Sequence, residues 1–408
     1  MKNITWLVGN GFDLGLGLKT RYSDFLEWYV KPVDGDDANI RDFKNKLSDK
    51  KENRLAWSDF EKWLGEHAAA FKWEWHPWQI FLYGLLGVVF VLAIVLLVVA
   101  IISSYPDSHG FSWHLIKALP YTAIGFPVGA GTAALATTTK PKFSTGDYSK
   151  RISDAHNKLT LYLRQHVADR RPGSVDEEDF INKIANIRQH LKDNRSKTIF
   201  NKHGELGTIS LPVILFNYTT AFERCVGSKF DGIINHIHGD IDRGVILGVD
   251  NAGQIANRRL RRSESTLETL LKPTIIDEKS RVRGDTAGED ARNTIRRSNI
   301  ICVYGMSLGE TDRTWWREIR GWLEGNPANL LIIFRYLDER ERSANPDSDE
   351  RRAIKQELMK FKTVSAADIR SGTGGVHKPP VGDNQVIVVP HYGLLVPKVK
   401  ADKEPARR

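Results

Sequence analysis

The sequence predicts an α/β fold: a parallel sheet with helices on both faces, interrupted by a two-helix transmembrane hairpin. Three observations predict it. Short, unbroken apolar runs alternate with stretches of helix length, a pattern typical of parallel strands buried on both faces. The first apolar run ends abruptly at a glycine-containing turn. Residues 80–102 form an uncharged apolar segment long enough to cross a bilayer. Together these observations indicate a Rossmann-like domain split by a membrane segment.

The composition is that of a globular protein and sets few limits on function. The chain has 408 residues, of which 41% are hydrophobic and 27% charged, so it can bury a large core. Two cysteines are too few for a disulfide framework, which favours a reducing compartment. Met1 leads directly into the first strand, so no signal peptide is expected. A net charge of +9 suits nucleic acid, but the cytoplasmic side of membrane proteins carries the same excess. Because charge alone supports it, we do not expect a nucleic-acid partner.

The first apolar run, Ile4 to Val8, is followed directly by Gly9-Asn10-Gly11. This order predicts a buried strand, a tight turn and then a helix. Glycine at the two positions would permit positive φ and close approach of a ligand, and the following helix would direct its positive end at a phosphate. An ordinary strand-to-helix turn has the same sequence, so the turn alone does not establish a site.

Two helices are predicted between this turn and the membrane segment. Residues 14–30 pass from a glycine-containing loop into an amphipathic helix, and a second amphipathic helix opens at Trp57. Ser58 and Glu61 have the spacing of a capping box. We therefore interpret Glu61 first as part of a helix cap.

The segment 80–102 would rise about 34 Å as a helix, enough for a hydrocarbon core of about 30 Å. A second apolar stretch, 115–136, has small residues at every fourth position, which favours close helix packing. The loop 103–112 between them has no Lys or Arg, whereas basic residues flank the pair on both outer sides. The positive-inside rule then predicts a hairpin with both ends in the cytoplasm. We expect a multi-pass protein of the bacterial inner membrane with both soluble segments cytoplasmic.

These patterns divide the chain into four segments. The first part of the Rossmann-like domain is 1–72, the membrane hairpin is 73–139, the remainder of the domain is 140–397, and 398–408 is a disordered basic tail. Apolar runs in the third segment predict its strands, at 213–216, 233–237, 245–247, 300–304, 331–334 and 386–389. The arginine-rich and charged stretches, 258–262 and 338–352, are interpreted as solvated helix faces.

Polar residues follow several of these strands directly. Asn217 comes after the run 213–216, and His236 and His238 end the next run. Since ligands in open α/β sheets bind beyond the carboxyl ends of the strands, we expect a ligand site there. The two histidines alternate along a strand and so point to opposite faces. We choose His238 for the site because Gly239 follows it.

A series of short motifs carries a family resemblance. In chain order they are Gly9-Asn10-Gly11-Phe12-Asp13, Thr20-Arg21-Tyr22-Ser23-Asp24-Phe25, Trp57 to Glu61, Phe216-Asn217-Tyr218-Thr219, His236-Ile237-His238-Gly239 and Tyr304-Gly305-Met306-Ser307-Leu308-Gly309-Glu310-Thr311-Asp312. Their order and number resemble the AbiH family of bacterial abortive-infection proteins. The resemblance implies a role in defence against phage.

The AbiH motifs in turn resemble, more distantly, those of sirtuin-like NAD-binding domains. That resemblance implies NAD as ligand or substrate and gives each motif a role. Gly9 and Gly11 would hold the dinucleotide phosphates, Asn217 would lie near the nicotinamide ribose, His238 would be the catalytic histidine, and Gly305 and Ser307 would hold the adenosine end. Asn10 and Asp13 differ from the usual sirtuin residues, and a four-cysteine zinc module is absent. The resemblance therefore implies cleavage of NAD rather than protein deacylation, and no metal is expected.

The chemistry of NAD cleavage suits these residue types. Breaking the bond from nicotinamide to ribose needs a positioned water, a general base and held ribose hydroxyls. His238 can accept a proton near neutral pH, and Asn217 can orient water or ribose through its amide. The sequence leaves two roles open for each of two carboxylates. Asp13 either binds a ribose hydroxyl or caps a helix, and Asp312 either caps the next helix or takes part in the site.

The sequence thus predicts a membrane-anchored effector of antiphage defence that binds NAD and hydrolyses it once triggered. We expect a homo-oligomer, with a phage-derived trigger or an adjacent defence protein as a further partner. The alternative is a non-catalytic domain that senses a nucleotide and controls a membrane-disrupting oligomer. Membrane depolarisation that survives a change at His238 would favour this alternative.

Overall fold

A computed structural model describes most of the chain outside the segment 68–144. The described ranges are 2–48, 57–67, 145–167, 175–202, 209–258, 260–284, 286–336, 349–361, 381–382, 384–391 and 394–395. All of them belong to one compact unit.

The unit is built on a parallel sheet whose strands coincide with the apolar runs of the sequence. Its strands are β1 (Lys2–Val8), β2 (Ile209–Ser210), β3 (Val213–Leu215), β4 (Ile234–His236), β7 (Ile300–Tyr304), β8 (Leu330–Tyr336) and β9 (Val386–His391). Six of them lie in the order β4-β3-β1-β7-β8-β9, and the two-residue β2 pairs with the start of β1. All these pairings are parallel. This is the doubly wound order of Rossmann folds, in which the chain reverses its winding between β1 and β7.

Thirteen α-helices lie among the described residues. They are α1 (Gly11–Gly15), α2 (Tyr22–Tyr29), α3 (Ala38–Ser48), α4 (Trp57–His67), α5 (Thr145–His166), α6 (Glu177–Ala185), α7 (Asn194–Asn201), α8 (Ala221–Val226), α9 (Glu264–Leu270), α10 (Lys272–Arg283), α11 (Ala287–Arg297), α12 (Arg313–Gly325) and α13 (Asp349–Lys360).

Helices cover both faces of the sheet because successive strand residues point to opposite faces. On one face Leu7 packs in a buried cluster with apolar residues of α11, α12 and α13, among them Trp316. On the other face Trp6 stacks on Phe334 at 5.3 Å between ring centroids. The Trp6 indole N–H also donates to the carbonyl of Ile184 in α6 at 3.0 Å. The apolar runs are continuous because each strand has a buried face on either side.

One predicted strand lies outside this sheet. The run 245–247 was expected to join it, but Val245 lies in β6 (Gly244–Val245), which pairs antiparallel with β5 (Gly239–Asp240). The segment 239–245 is a short ribbon just beyond the carboxyl end of β4. Its two strands are too close in the sequence for a crossover helix, so they form a hairpin instead.

The predicted transmembrane hairpin is not supported. The residues that carry that prediction, 80–136, lie outside the described residues. No described helix is both long enough and apolar enough to cross a bilayer. The longest of them, α5, spans 22 residues but carries charges such as Lys150 and Arg151. We therefore correct the fold class to an α/β fold with a parallel sheet, and we withdraw the multi-pass inner-membrane location with its two cytoplasmic segments.

Candidate functional site

The turns after β1 and β7 pack backbone against backbone at the point where the winding reverses. A Cβ on Gly11 would lie 2.5 Å from the Cα of Gly305, and a Cβ on Gly9 would lie 2.6 Å from the carbonyl oxygen of Gly305. Gly305 has a φ of +66°, whereas neither Gly9 nor Gly11 has a positive φ. The positive φ expected for these two is therefore wrong. Glycine is required there because the neighbouring turn leaves no room for a side chain.

In the same packing, three backbone N–H groups of the first turn are hydrogen-bonded to backbone carbonyl groups. The N–H of Gly9 donates to Tyr304, the N–H of Gly11 donates to Gly305, and the N–H of Phe12 donates back to Gly9, at 2.8 to 2.9 Å. Donors that already have carbonyl partners do not bind a phosphate without breaking those bonds. As placed, these three groups are not available to hold a dinucleotide phosphate.

A cavity of about 850 Å³ opens at this edge of the sheet, in the position where doubly wound folds bind ligands. Eight predicted residues line it: Gly9, Asn10, Gly11, Asn217, His238, Gly305, Ser307 and Asp312. Ten further residues complete the lining: Leu14, Arg21, Tyr22, Ser23, Glu61, Phe216, Tyr218, Lys272, Met306 and Thr311. The polar strand ends thus meet at one site, with apolar side chains between them.

Asp13 is the predicted residue that does not line the cavity. It is fully buried within α1, so it neither reaches a ribose nor stands at the N-cap, which is Asn10. Its carboxylate accepts hydrogen bonds from the Asn217 amide and from the Thr219 hydroxyl, each at 2.9 Å. Burial raises the pKa of Asp13 to about 7, and these hydrogen bonds oppose the shift. We call Asp13, Asn217 and Thr219 the Asp13 cluster.

The Asp13 cluster fixes the orientation of the Asn217 side chain. Because the amide nitrogen donates to Asp13, the amide oxygen is the free end, and it has no hydrogen-bond partner among the described residues. Asn217 is only 1% exposed. A buried carbonyl oxygen without a partner is costly, so this atom is suited to accept a bond from a ligand or a water.

His238 presents a second buried acceptor to the cavity. It is 3% exposed, and its ring packs edge-on against Phe216. Burial, reinforced by the charge of Lys272, lowers the pKa of His238 to about 4 against the pull of Asp312 and the Phe216 backbone. The ring is therefore neutral at pH 7. Its Nε2 has no hydrogen-bond partner within the described part of the chain.

The alternate histidine lies in different surroundings. His236 is hydrogen-bonded to the carboxylate of Glu223 in α8 and does not line the cavity. His236 and His238 are equally well buried, so burial alone would not separate them. Their positions two residues apart, one in β4 and the other just after it, give them different neighbours.

A buried ion cluster that the sequence did not indicate completes the site. The ammonium of Lys272, 4% exposed, lies 2.9 Å from Glu61 and 3.1 Å from Asp312. It also donates to the carbonyl of Thr311 at 3.1 Å. We call Lys272, Glu61 and Asp312 the Lys272 cluster. Its formal charge is −1, since two carboxylates share one ammonium.

The contacts of Asp312 and Glu61 bear on the helix-capping roles that the sequence suggested for them. Asp312 stands at the N-cap position of α12 but makes no side-chain capping bond, and it pairs with Lys272 instead. Glu61 also accepts from the N–H of Gly248 at 3.3 Å. Burial and the nearby Asp312 raise the pKa of Glu61 to about 7, against the pull of Lys272. The pKa of Asp312 is lowered, since Lys272 and His238 outweigh its own burial.

No pattern in the sequence marks Lys272 as a residue of the site. It follows no strand, and its contact with Glu61 spans 211 positions of the chain. The Pro273 that follows it marks the start of a helix and says nothing about a site. In the described ranges no group of three His, Cys, Asp or Glu residues is arranged to hold a metal ion.

Comparison with known proteins gives one match. A family model described as "Bacteriophage abortive infection AbiH" matches residues 5–334. The matched range contains every residue of the Asp13 and Lys272 clusters, together with His238. No curated protein matches the chain.

Proposed function

Since this chain belongs to the AbiH family of bacteriophage abortive-infection proteins, we propose that it is an effector that binds NAD in the cavity and hydrolyses its nicotinamide–ribose bond. The family itself gives the broader role, which is defence by abortive infection. The NAD-directed activity is our proposal, and the residues at the cavity support it.

One observation carries the proposal. The cavity has two buried acceptor atoms, Asn217 Oδ1 and His238 Nε2, without a hydrogen-bond partner in the described part of the protein. A folded protein rarely leaves such atoms unpaired unless a ligand or water uses them. Hydroxyl groups are the natural partners, because each supplies one O–H donor. A ribose with two neighbouring hydroxyls has the donors that this pair of acceptors lacks.

The charge of the site suits the same substrate. The nicotinamide ring of NAD is cationic until its bond to ribose breaks, and positive charge then develops on the sugar. With Glu61 ionised, the adjoining Lys272 cluster has a formal charge of −1 and is largely excluded from water, so it favours a cation close by. Apolar side chains such as Tyr22 and Met306 offer contact surface for a flat ring.

The proposed reaction consumes one water for each NAD. The C1′–N bond breaks, nicotinamide leaves as a neutral molecule, and water supplies the hydroxyl to C1′ and releases a proton. Asn217 holds a ribose hydroxyl or the water through its amide oxygen. Neutral His238 accepts a proton from a hydroxyl, directly or through water.

The fit to the rest of the dinucleotide differs from the expectation. The N–H groups of Gly9 and Gly11 are bonded to the β7 turn, so the phosphates do not lie in a cradle there. Arg21 and Ser23 line the cavity and are exposed. We propose that the phosphates lie on this side, with the guanidinium of Arg21 as the cationic partner.

The test is nicotinamide release by the purified full-length chain and by cells that express it during phage infection, so that a phage-derived trigger is present. His238→Gln and Asn217→Ala should each reduce release by about 100-fold or more. His236→Gln is the matched control, because that histidine is equally buried but lies outside the cavity. Release that is unchanged in the first two variants would exclude this site.

A second candidate is a nucleotide sensor without catalysis. The low pKa of His238 favours it, because a group with a pKa of about 4 is a weak base at neutral pH. It predicts that NAD binds to the purified protein, that His238→Gln weakens this binding, and that no nicotinamide appears even in infected cells. Under either proposal, homo-oligomer formation and an adjacent defence protein stay predictions.

A further inference from the structure

Lys272 has its hydrogen-bonding capacity filled by the protein itself. An ammonium has three N–H donors, and Lys272 has three acceptors, on Glu61, Asp312 and the Thr311 carbonyl. The two carboxylates raise the pKa of Lys272 further above its usual range, in spite of burial. A lysine held in this way is a fixed charge. It does not act as a base or as a nucleophile at neutral pH.

The ammonium and His238 approach the same carboxylate oxygen. Lys272 Nζ lies 3.1 Å from Asp312 Oδ1, and His238 Nε2 lies 3.4 Å from that oxygen. The lysine makes a hydrogen bond to this oxygen, whereas Nε2 makes none. With the ammonium absent, Asp312 would face the imidazole alone. A carboxylate beside a histidine favours the protonated ring.

The surroundings of His238 contain few other charges. Lys272 faces it from α10, and Asp312 faces it from the turn Glu310–Asp312. Glu61 of α4 pairs with Lys272. Tyr218, whose pKa burial raises well above its usual value, remains neutral. Besides burial, the charge state of His238 therefore depends on the opposing charges of the Lys272 ammonium and the Asp312 carboxylate.

We propose that Lys272 is a positioning residue: it occupies the Asp312 oxygen nearest to His238, prevents that carboxylate from pairing with the imidazole, and leaves Nε2 free for the ligand. This inference deepens the proposed function and rests on it for the role of His238. It adds a requirement beyond the polar residues at the strand ends. The site needs a cation from α10 as well as its polar strand ends.

The experiment measures the pKa of His238 by NMR of ¹³C-labelled histidine in the ligand-free full chain, with the signal assigned by its loss in His238→Gln. The main variant is Lys272→Met with Glu61→Gln. It removes both members of one ion pair, and the new glutamine still accepts from the Gly248 N–H. We expect the His238 pKa to rise by about 1 to 3 units, because Asp312 then pairs with the ring. A pKa that stays the same or falls would overturn the proposal.

Lys44→Met is the matched control. It removes an ammonium that is as well buried, 3% exposed and 2.6 Å from Asp36, but that does not line the cavity. It should leave the His238 pKa unchanged, and an equal rise in this control would overturn the proposal.

A second variant covers the case in which the double variant does not fold. Asp312→Asn keeps the Lys272–Glu61 pair and removes the carboxylate, so the His238 pKa should lie at or below that of the parent. Titration near the ordinary value of 6.5 would contradict the proposal. The two proposals fail separately. A parent that releases no nicotinamide refutes the proposed function, whereas a pKa that does not move refutes the role of Lys272.

Discussion

Asp13 lies in the helix that follows β1, and Asp312 lies in the turn that follows the neighbouring strand β7. Both carboxylates are buried, yet their surroundings differ. Asp13 accepts only from a hydroxyl and an amide. Asp312 faces the ammonium of Lys272. Burial therefore prevails at Asp13 and raises its pKa to about 7, whereas the cation prevails at Asp312 and lowers its pKa. Burial alone does not decide the charge of a carboxylate, because a charged donor opposes its effect. At Glu61, which shares the same ammonium, burial and the charge of Asp312 still prevail and raise the pKa to about 7.

Because their surroundings differ, the two clusters have different roles. The Asp13 cluster orients the amide of Asn217, which it does in either protonation state, since a carboxyl group keeps an acceptor oxygen when it is protonated. The Lys272 cluster holds the fixed charge of its ammonium beside His238, and that ammonium must stay paired. We expect the two clusters to respond differently to substitution and to pH.

The largest expected effect is on the Lys272 side. Lys272→Met alone leaves Glu61 and Asp312 buried without a cation, and we expect the free energy of unfolding to fall by about 3 to 5 kcal/mol. Urea denaturation at pH 7 measures it. Adding Glu61→Gln should recover part of the loss. A single variant as stable as the parent would show that the ammonium does not compensate these carboxylates.

The second effect is the pH dependence of stability that Asp13 contributes. The pKa of Asp13 is about 7 in the folded chain and 3.8 ordinarily, so the folded state holds its proton more tightly. This contribution to stability is full below pH 3.8 and is lost as the pH rises to 7 and above. At about 1.4 kcal/mol per unit it amounts to at most about 4.5 kcal/mol.

Asp13→Asn should remove this part of the pH dependence. The measurement is urea denaturation between pH 4.5 and 8, in which the variant should show a flatter profile than the parent. Asp36→Asn is the control, since the folded pKa of Asp36 is lowered and its carboxylate, outside both clusters, contributes no fall in stability over this range. Glu61, whose pKa is also about 7, contributes equally to the parent and to Asp13→Asn. Identical profiles for the parent and Asp13→Asn would refute the raised pKa.

A smaller effect is expected at Thr219. Thr219→Val keeps the shape of the side chain and removes the hydroxyl that donates to Asp13, which should cost about 1 to 3 kcal/mol. The loss should be greater at pH 8 than at pH 5, because the ionised carboxylate depends more on its donors. A loss that is the same at both values would mean that Asp13 does not titrate between them.

The smallest effect is expected at the edge of the Asp13 cluster. Glu223, whose side chain is 31% exposed, raises the pKa of Asp13 through its charge. Glu223→Gln removes that charge and still accepts from His236, so it should lower the pKa of Asp13 by less than about one unit. The unfolding free energy should change by less than about 1 kcal/mol. A larger change would assign Glu223 to the cluster itself.

Local sequence patterns foresee the sheet and much of the cavity lining. Buried parallel strands read as unbroken apolar runs, and the polar residue that follows each run lies at the ligand-binding edge, as Asn217 and His238 do. Chain order alone does not reveal contacts between distant segments. Lys272 meets Glu61 from 211 positions away, and the need for glycine at position 11 is visible only beside Gly305.

Two predictions are not supported by the structure. The run 245–247 has the apolar composition of a sheet strand, but the nearby chain at Gly239 was free to pair with it as a hairpin. The transmembrane hairpin was inferred from two apolar segments within 80–136, the spacing of small residues in the second and the basic residues on both outer sides, and the structure does not support it. Hydropathy indicates that a segment avoids water and does not identify what covers it.

The position of β1 has a consequence for the order of events during synthesis. This strand is made almost 300 residues before β7, with which it pairs inside the sheet in a register that joins Trp6 to Cys302. Such long separations make folding slow to complete. A chain released from the ribosome before residue 300 lacks β7, which is one neighbour of β1, and with it the turn around Gly305 and the Asp312 carboxylate. Truncated products that end before this point therefore carry no complete cavity, and any activity that depends on the cavity begins only after β7 and Asp312 have been made.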